Sequence, residues 1–142
     1  MIYFDTSYLV RLYYKDPGYE AVRRLAAAEW VACSVHGRAE VVAALHRKFR
    51  EGSLTSDFYR ITLREFAREC AAGAYRWLPS SSSVLDRVER IFSGLSADVV
   101  LSAADALHLA CAAENGFKEI YSNDKRLLGA AGHFGIKGVN VI

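Results

Sequence analysis

At 142 residues and 15.8 kDa the chain has the length of one domain, so residues 1–142 are expected to form a single unit. Apolar residues make up 52% and charged residues 24%, an ordinary globular balance that excludes a disordered or collagen-like chain. Eighteen Lys and Arg against sixteen Asp and Glu leave a net charge of +2, too mild to announce nucleic-acid binding by charge alone.

Along the chain, short apolar runs alternate with longer amphipathic stretches. The first run, Ile2–Phe4, reads as a strand and leads into a helical pattern over Thr6–Tyr14. Asp16-Pro17-Gly18 is a turn, followed by a helix over Tyr19–Glu29 and a strand over Trp30–Cys33. Helices are predicted over Gly37–Glu51, closed by Gly52, and over Ser56–Ala72. A strand at Tyr75–Leu78 runs into Pro79 and the serine run 80–83, which reads as a loop rather than a linker. Then come a helix over Val84–Ser93, a nearly all-apolar helix over Ser102–Asn115 stopped by Gly116, and a strand over Glu119–Tyr121. A helix over Lys125–Ala131 and a strand over Gly138–Val141 complete the chain. Such alternation argues for an α/β fold on a parallel sheet, and strands this short and apolar suit burial on both faces.

No membrane span is expected, because the most apolar stretch, Val99 to Ala113, is interrupted by Asp105 and His108. The opening Met1-Ile2-Tyr3-Phe4-Asp5 lacks the positive segment of a signal peptide. Cys33, Cys70 and Cys111 are odd in number and sit among apolar neighbours, which suggests reduced thiols in a cytoplasmic protein.

Open parallel sheets bind ligands outside the carboxyl ends of their strands. Two acids fall there: Asp5 after the first strand, and Asp124 after the strand ending at Tyr121. Each also suits the cap of the helix that follows. Two more acids lie inside helices. Asp105 sits in the apolar segment Ser102–Ala113 with no Lys or Arg within a helical turn, leaving His108 as its only nearby partner. Glu40 shares a face with Gly37, Val41 and Ala44, although a solvated place at the helix edge also suits it. If the four converge, each pair 4 Å apart repels by about 4 kcal/mol at an effective dielectric of 20. Such a cluster needs shared protons or hard divalent cations, and oxygen donors suit Mg²⁺ or Mn²⁺. Zinc is disfavoured, since His36, His46, His108 and His133 show no ligand spacing. A cation there reverses the sign of a pocket that otherwise repels a phosphodiester.

These residues resemble the PIN-domain ribonucleases, specifically the VapC toxins of bacterial and archaeal toxin–antitoxin pairs. The resemblance is carried, in order, by Asp5-Thr6-Ser7, Ala39-Glu40-Val41, Ala104-Asp105-Ala106-Leu107-His108-Leu109-Ala110 and Ser122-Asn123-Asp124-Lys125-Arg126-Leu127. It implies a three-layer α/β/α fold, a short-stranded parallel sheet flanked by helices. It also implies that Asp5, Glu40, Asp105 and Asp124 are the catalytic acids, holding Mg²⁺ or Mn²⁺ and orienting the attacking water. Asp5, Asp105 and Asp124 would hold the main cation, and Glu40 would complete the shell. Ser122 and Thr6 take supporting hydrogen-bonding roles. The implied reaction is endoribonucleolytic hydrolysis of RNA to a 5′-phosphate and a 3′-hydroxyl. The implied partners are a small antitoxin and a second copy of the chain in a homodimer.

Other surface features are less specific. Arg60, Arg64 and Arg68 form a helical stripe that suits phosphates or plain solvent, with Glu65 and Glu69 beside it. Lys125 and Arg126 follow Asp124 and are better placed to meet a scissile strand. Tyr8, Leu9, Leu12, Tyr13 and Tyr14 fit either aromatic core or a partner groove. A haloacid-dehalogenase-type phosphatase needs an Asp where Ser7 stands, and a receiver domain needs one in Tyr75–Leu78. A non-catalytic interaction module, or a PIN nuclease of RNA processing with no antitoxin, keeps the fold and changes the role. Retention of all four acids argues against the first.

Overall fold

A computed structural model describes all of residues 1–142. The elements run β1 (Ile2–Tyr3), α1 (Thr6–Tyr13), α2 (Tyr19–Ala28), β2 (Val31–Ser34), α3 (Gly37–Arg50), α4 (Ser56–Ala71) and β3 (Tyr75–Leu78). They continue with α5 (Ser82–Ser93), α6 (Ala103–Glu114), β4 (Glu119–Tyr121), α7 (Lys125–Ala130) and β5 (Lys137–Val139). All strand pairs are parallel: Ile2 faces Val31, Val31 faces Tyr75 and Glu119 faces Lys137. A parallel bridge between Phe4 and Tyr121 joins the two groups, so the strands lie in the order β3-β2-β1-β4-β5.

Alternation along the strands builds two cores. Tyr3, Ala32 and Leu78 pack with Leu109, Ile120 and Phe134 on one face, beneath α5, α6 and α7. Phe4, Val31, Cys33 and Tyr75 pack with Leu9, Val41, Leu45 and Phe66 on the other, beneath α1 to α4. Each fully buried Leu or Phe contributes about 1.5–3 kcal/mol, so both faces need their helices. The result is the three-layer α/β/α arrangement.

Polar side chains set the helix starts. Asp5, Thr55, Ser81, Ser102 and Asp124 each accept an N–H of the first turn of α1, α4, α5, α6 and α7. The serine run is therefore partly helical, with Ser81 as the cap and Ser82 as the first helical residue. A 3₁₀ turn at Ala131–Phe134, absent from the sequence-based expectation, precedes β5, which is shorter than predicted. All three cysteines are free. Tyr8 and Leu9 are fully buried, and Tyr13 hydrogen-bonds Glu69 and Tyr75, so the aromatic stretch packs on the core, while partly buried Leu12 also lines a surface depression. No helix is long and apolar enough to cross a membrane.

Candidate active site

The chain reverses its winding between β1 and β4, where the loops leaving the two strands diverge. This switch point is where open α/β sheets bind ligands. Asp5 leaves β1 there, its N–H donating to Tyr121 O at 3.1 Å. Its carboxylate is buried, and both oxygens accept hydrogen bonds. Oδ1 accepts the Ser7 hydroxyl at 2.7 Å and the Tyr8 N–H at 3.1 Å, and Oδ2 accepts the Ser122 hydroxyl at 2.6 Å. Ser122 in turn accepts the Asp124 N–H at 2.8 Å. One buried hydroxyl thus ties the first acid to the fourth.

Asp124 is exposed and caps α7, its Oδ1 accepting the Arg126 and Leu127 N–H groups at 2.8 and 3.2 Å. Asp105 stands in the first turn of α6, where its N–H donates to Ser102 Oγ at 3.1 Å. Glu40 stands in the first turn of α3, across from α6. Its Oε2 accepts the Thr6 hydroxyl at 2.6 Å and lies 2.7 Å from His108 Nε2, with His36 Nε2 at 3.6 Å. Gly37 permits this approach, because a Cβ there would lie 2.6 Å from Cys33 Sγ and 3.4 Å from His108 Cε1.

Protonation follows from these surroundings. Burial pushes the Asp5 carboxyl above its ordinary value, against the hydrogen bonds from Ser122, Ser7 and Tyr8. Burial also raises Asp105; the Ser102 hydroxyl opposes that, and the charges of Asp124 and Glu40 add to it. Burial would raise Glu40 too, but the His108 hydrogen bond and charge, then Thr6 and His36, outweigh it and bring it to about 2. None of Asp5, Asp105 and Asp124 ion-pairs with Lys, Arg or His, and Glu40 meets only histidines.

The structure therefore gathers the four predicted acids and both supporting hydroxyls around one end of the sheet. It corrects one pairing: His108 contacts Glu40 rather than Asp105, because the first turn of α3 comes up to the His108 ring beside Cys33. It also shows Glu40 turned inward rather than solvated. Carboxylates that share one end of the sheet without a Lys or Arg partner suit a hard divalent ion. Arg11, not singled out from the sequence, is buried beside the site and donates to Ser7 O at 2.8 Å and Asn123 Oδ1 at 3.3 Å. His36 was likewise missed as a site neighbour, since only the fold brings it to His108, with ring centroids 4.3 Å apart. The Arg64–Arg68 stripe lies on a separate shallow surface that contains none of the acids.

The sequence matches the PIN domain family over residues 2–132, and the chain belongs to that family. Comparison with the curated proteins gave no significant sequence match. Among solved structures it is similar to Mycobacterium tuberculosis VapC20, described as a sarcin-ricin loop cleaving toxin. The TM-score is 0.71 at 19% identity, over 92% of this chain and 95% of that one. It is also similar to FitAcB from Neisseria gonorrhoeae, with TM-score 0.75 and 19% identity over 99% and 97% of the two chains. A third relative is VapBC2 from Rickettsia felis bound to a promoter DNA fragment, with TM-score 0.69 and 17% identity over 99% and 98%.

Proposed function

We propose that this chain, acting as one unit over residues 1–142, is a divalent-metal-dependent endoribonuclease and the toxin of a VapBC-type pair. The observation that carries the reading is the gathering of Asp5, Glu40, Asp105 and Asp124 at the β1–β4 switch point with no Lys or Arg paired to them. Membership of the PIN family and the structural similarity to VapC20, described as a sarcin-ricin loop cleaving toxin, and to VapBC2 support it.

Asp5, Asp105 and Asp124 would hold Mg²⁺ or Mn²⁺, with Glu40 completing the shell. The ion would activate a water and offset the charge of the phosphodiester. Within the chain, Ser122 and Ser7 fix the Asp5 carboxylate, and Thr6 with His108 fixes Glu40. Asp5 and Glu40 thus need little reorganisation when substrate arrives. Hydrolysis would leave a 5′-phosphate and a 3′-hydroxyl.

A groove beginning at Thr6 and Glu40 runs along α3 past His46 to Arg47 and Arg50, and suits the phosphates of an RNA strand. Lys125 and Arg126 flank the site on the Asp124 side. An apolar depression at Leu12, Ala27, Trp30 and Tyr75, with Trp30 68% exposed, suits a protein partner. A small antitoxin and a second copy of the chain are the partners this reading assigns, in the cytoplasm. The test is cleavage of an RNA panel by wild type and Asp5→Asn in Mg²⁺, Mn²⁺ or EDTA. Metal-dependent cleavage by wild type alone is expected. Cleavage that persists in EDTA, or equal activity of the mutant, overturns the reading. Partner binding with no cleavage of any RNA favours an interaction module instead.

A further inference from the structure

Beside the oxygen cluster stands a second donor set of different chemistry. His36, Glu40 and His108 each bring one ligand atom within 4.8 Å of the other two. His36 precedes α3 and Glu40 lies one turn further on, so the helix itself sets their spacing. His108 comes across from α6. Both imidazoles turn Nε2 toward Glu40 Oε2, at 3.6 and 2.7 Å.

The far side of each ring is anchored. Ser34 Oγ lies 2.6 Å from His36 Nδ1, and Tyr3 Oη lies 3.0 Å from His108 Nδ1. Tyr3 and Ser34 are themselves fully buried, and Tyr3 Oη accepts the Ser34 N–H at 3.0 Å. Metal-ligating histidines are held in this way, one ring nitrogen fixed by an outer partner while the other faces the ion. Glu40 and His36 remain partly exposed, which leaves an approach from solvent. Two imidazoles and one carboxylate suit zinc and its neighbours, whereas Mg²⁺ prefers oxygen donors alone.

We propose that His36, Glu40 and His108 form a site for Zn²⁺, distinct from the oxygen cluster and sharing Glu40 with it. Each ring enters neutral. The His36 proton that points at Ala104 O, 3.2 Å from Nε2, moves to Nδ1, where Ser34 Oγ accepts it. Glu40 exchanges its contact with His108 for the ion, and the proton His108 held at Nε2 moves to its Nδ1, where Tyr3 Oη accepts it. Zinc in this site occupies the carboxylate that the proposed nuclease needs, so it acts as an inhibitor; that consequence rests on the function proposed above, whereas the binding does not.

The test uses the full chain without RNA. Co²⁺, a spectroscopic stand-in for zinc, is titrated and followed by its visible absorption, then displaced with Zn²⁺. Wild type is expected to take up one Co²⁺ with nitrogen-ligand absorption bands, resisting millimolar Mg²⁺ and yielding to Zn²⁺. His36→Ala and, separately, His108→Gln should weaken Co²⁺ binding at least about 10-fold. Asp105→Asn, which removes none of the three proposed ligands, should keep it. His36 is partly exposed and its ring bonds only Ser34, Ala104 and the cluster, so His36→Ala should fold; circular dichroism checks this. The site is overturned if wild type shows no such absorption. It is equally overturned if His36→Ala binds like wild type, or if Asp105→Asn is the variant that loses the ion. Loss of all RNA cleavage in wild type would remove the inhibitory consequence and leave the binding result standing.

Discussion

At the scale of single residues, the acids around the switch point are held in opposite ways. Asp5 and Asp105 titrate above their ordinary values because burial disfavours their charge, whereas Glu40 is drawn to about 2 despite its burial. A raised carboxyl binds more protons folded than unfolded, so its contribution to stability falls as pH climbs through the raised value. Glu40 has the other sign, stabilising above the ordinary glutamate range and losing that contribution as pH falls toward 2. Asp105→Asn removes a half-buried charge while keeping its shape. In EDTA at pH 7 this variant should melt above wild type, and the gain should shrink toward pH 4 as wild-type Asp105 takes up its proton. The same variant should lose about 100-fold or more of any metal-dependent cleavage. Thermal melts across pH, paired with cleavage assays, check both halves. A variant that melts lower at neutral pH would mean that the Asp105 charge is compensated within the chain.

At the scale of elements, most of the architecture is legible in residue pattern. Five helix starts carry Asp, Ser or Thr caps, Gly116 follows the end of α6, and five apolar runs become five parallel strands with ends displaced by a few residues. The positions of Asp5 and Asp124 are legible for the same reason, since each directly follows a strand. The contacts of Glu40 are not. They depend on how closely the start of α3 approaches Cys33 and His108, and that closeness rests on Gly37, which as a sequence letter reads only as a helix start. The 3₁₀ turn at Ala131–Phe134 is equally hidden, four residues being too short to show a period. Gly37→Ala tests this approach. Its methyl would meet Cys33 Sγ at 2.6 Å, in a core that is 0% exposed at Cys33. Overpacking of this kind costs about 1–3 kcal/mol, a fall of several degrees in Tm for a chain of this size. Adding Cys33→Ala empties the space the methyl needs, so the double variant should recover part of the loss. A double-mutant cycle measures the coupling. Strictly additive losses would place the strain elsewhere.

For the molecule as a whole, the sheet order puts the acids at one end, and α3 carries the polarity of that end outward. Glu40 lies in its first turn and Arg47 seven residues later on the same face, about 10 Å along the axis at 1.5 Å per residue. Arg50 follows one turn on. Both arginines are exposed along the groove that opens at Thr6 and Glu40, whereas Lys48 is engaged with Asp16 at 2.8 Å and lies over the Tyr14 ring. Basic residues in a last helical turn also stabilise the helix dipole, by about 0.3–1 kcal/mol each. The two roles separate by salt dependence. A phosphate contact releases counterions, and for single strands each lost contact flattens the slope of log affinity against log salt by about 0.7. In an Asp105→Asn background that binds without cutting, Arg47→Ala with Arg50→Ala should therefore weaken RNA binding across sequences and flatten the slope by about 1.4. Fluorescence anisotropy between 50 and 200 mM salt measures it. An unchanged slope with a lowered Tm would confine these arginines to the helix dipole, and would move the RNA path to the Lys125–Arg126 side of the acids.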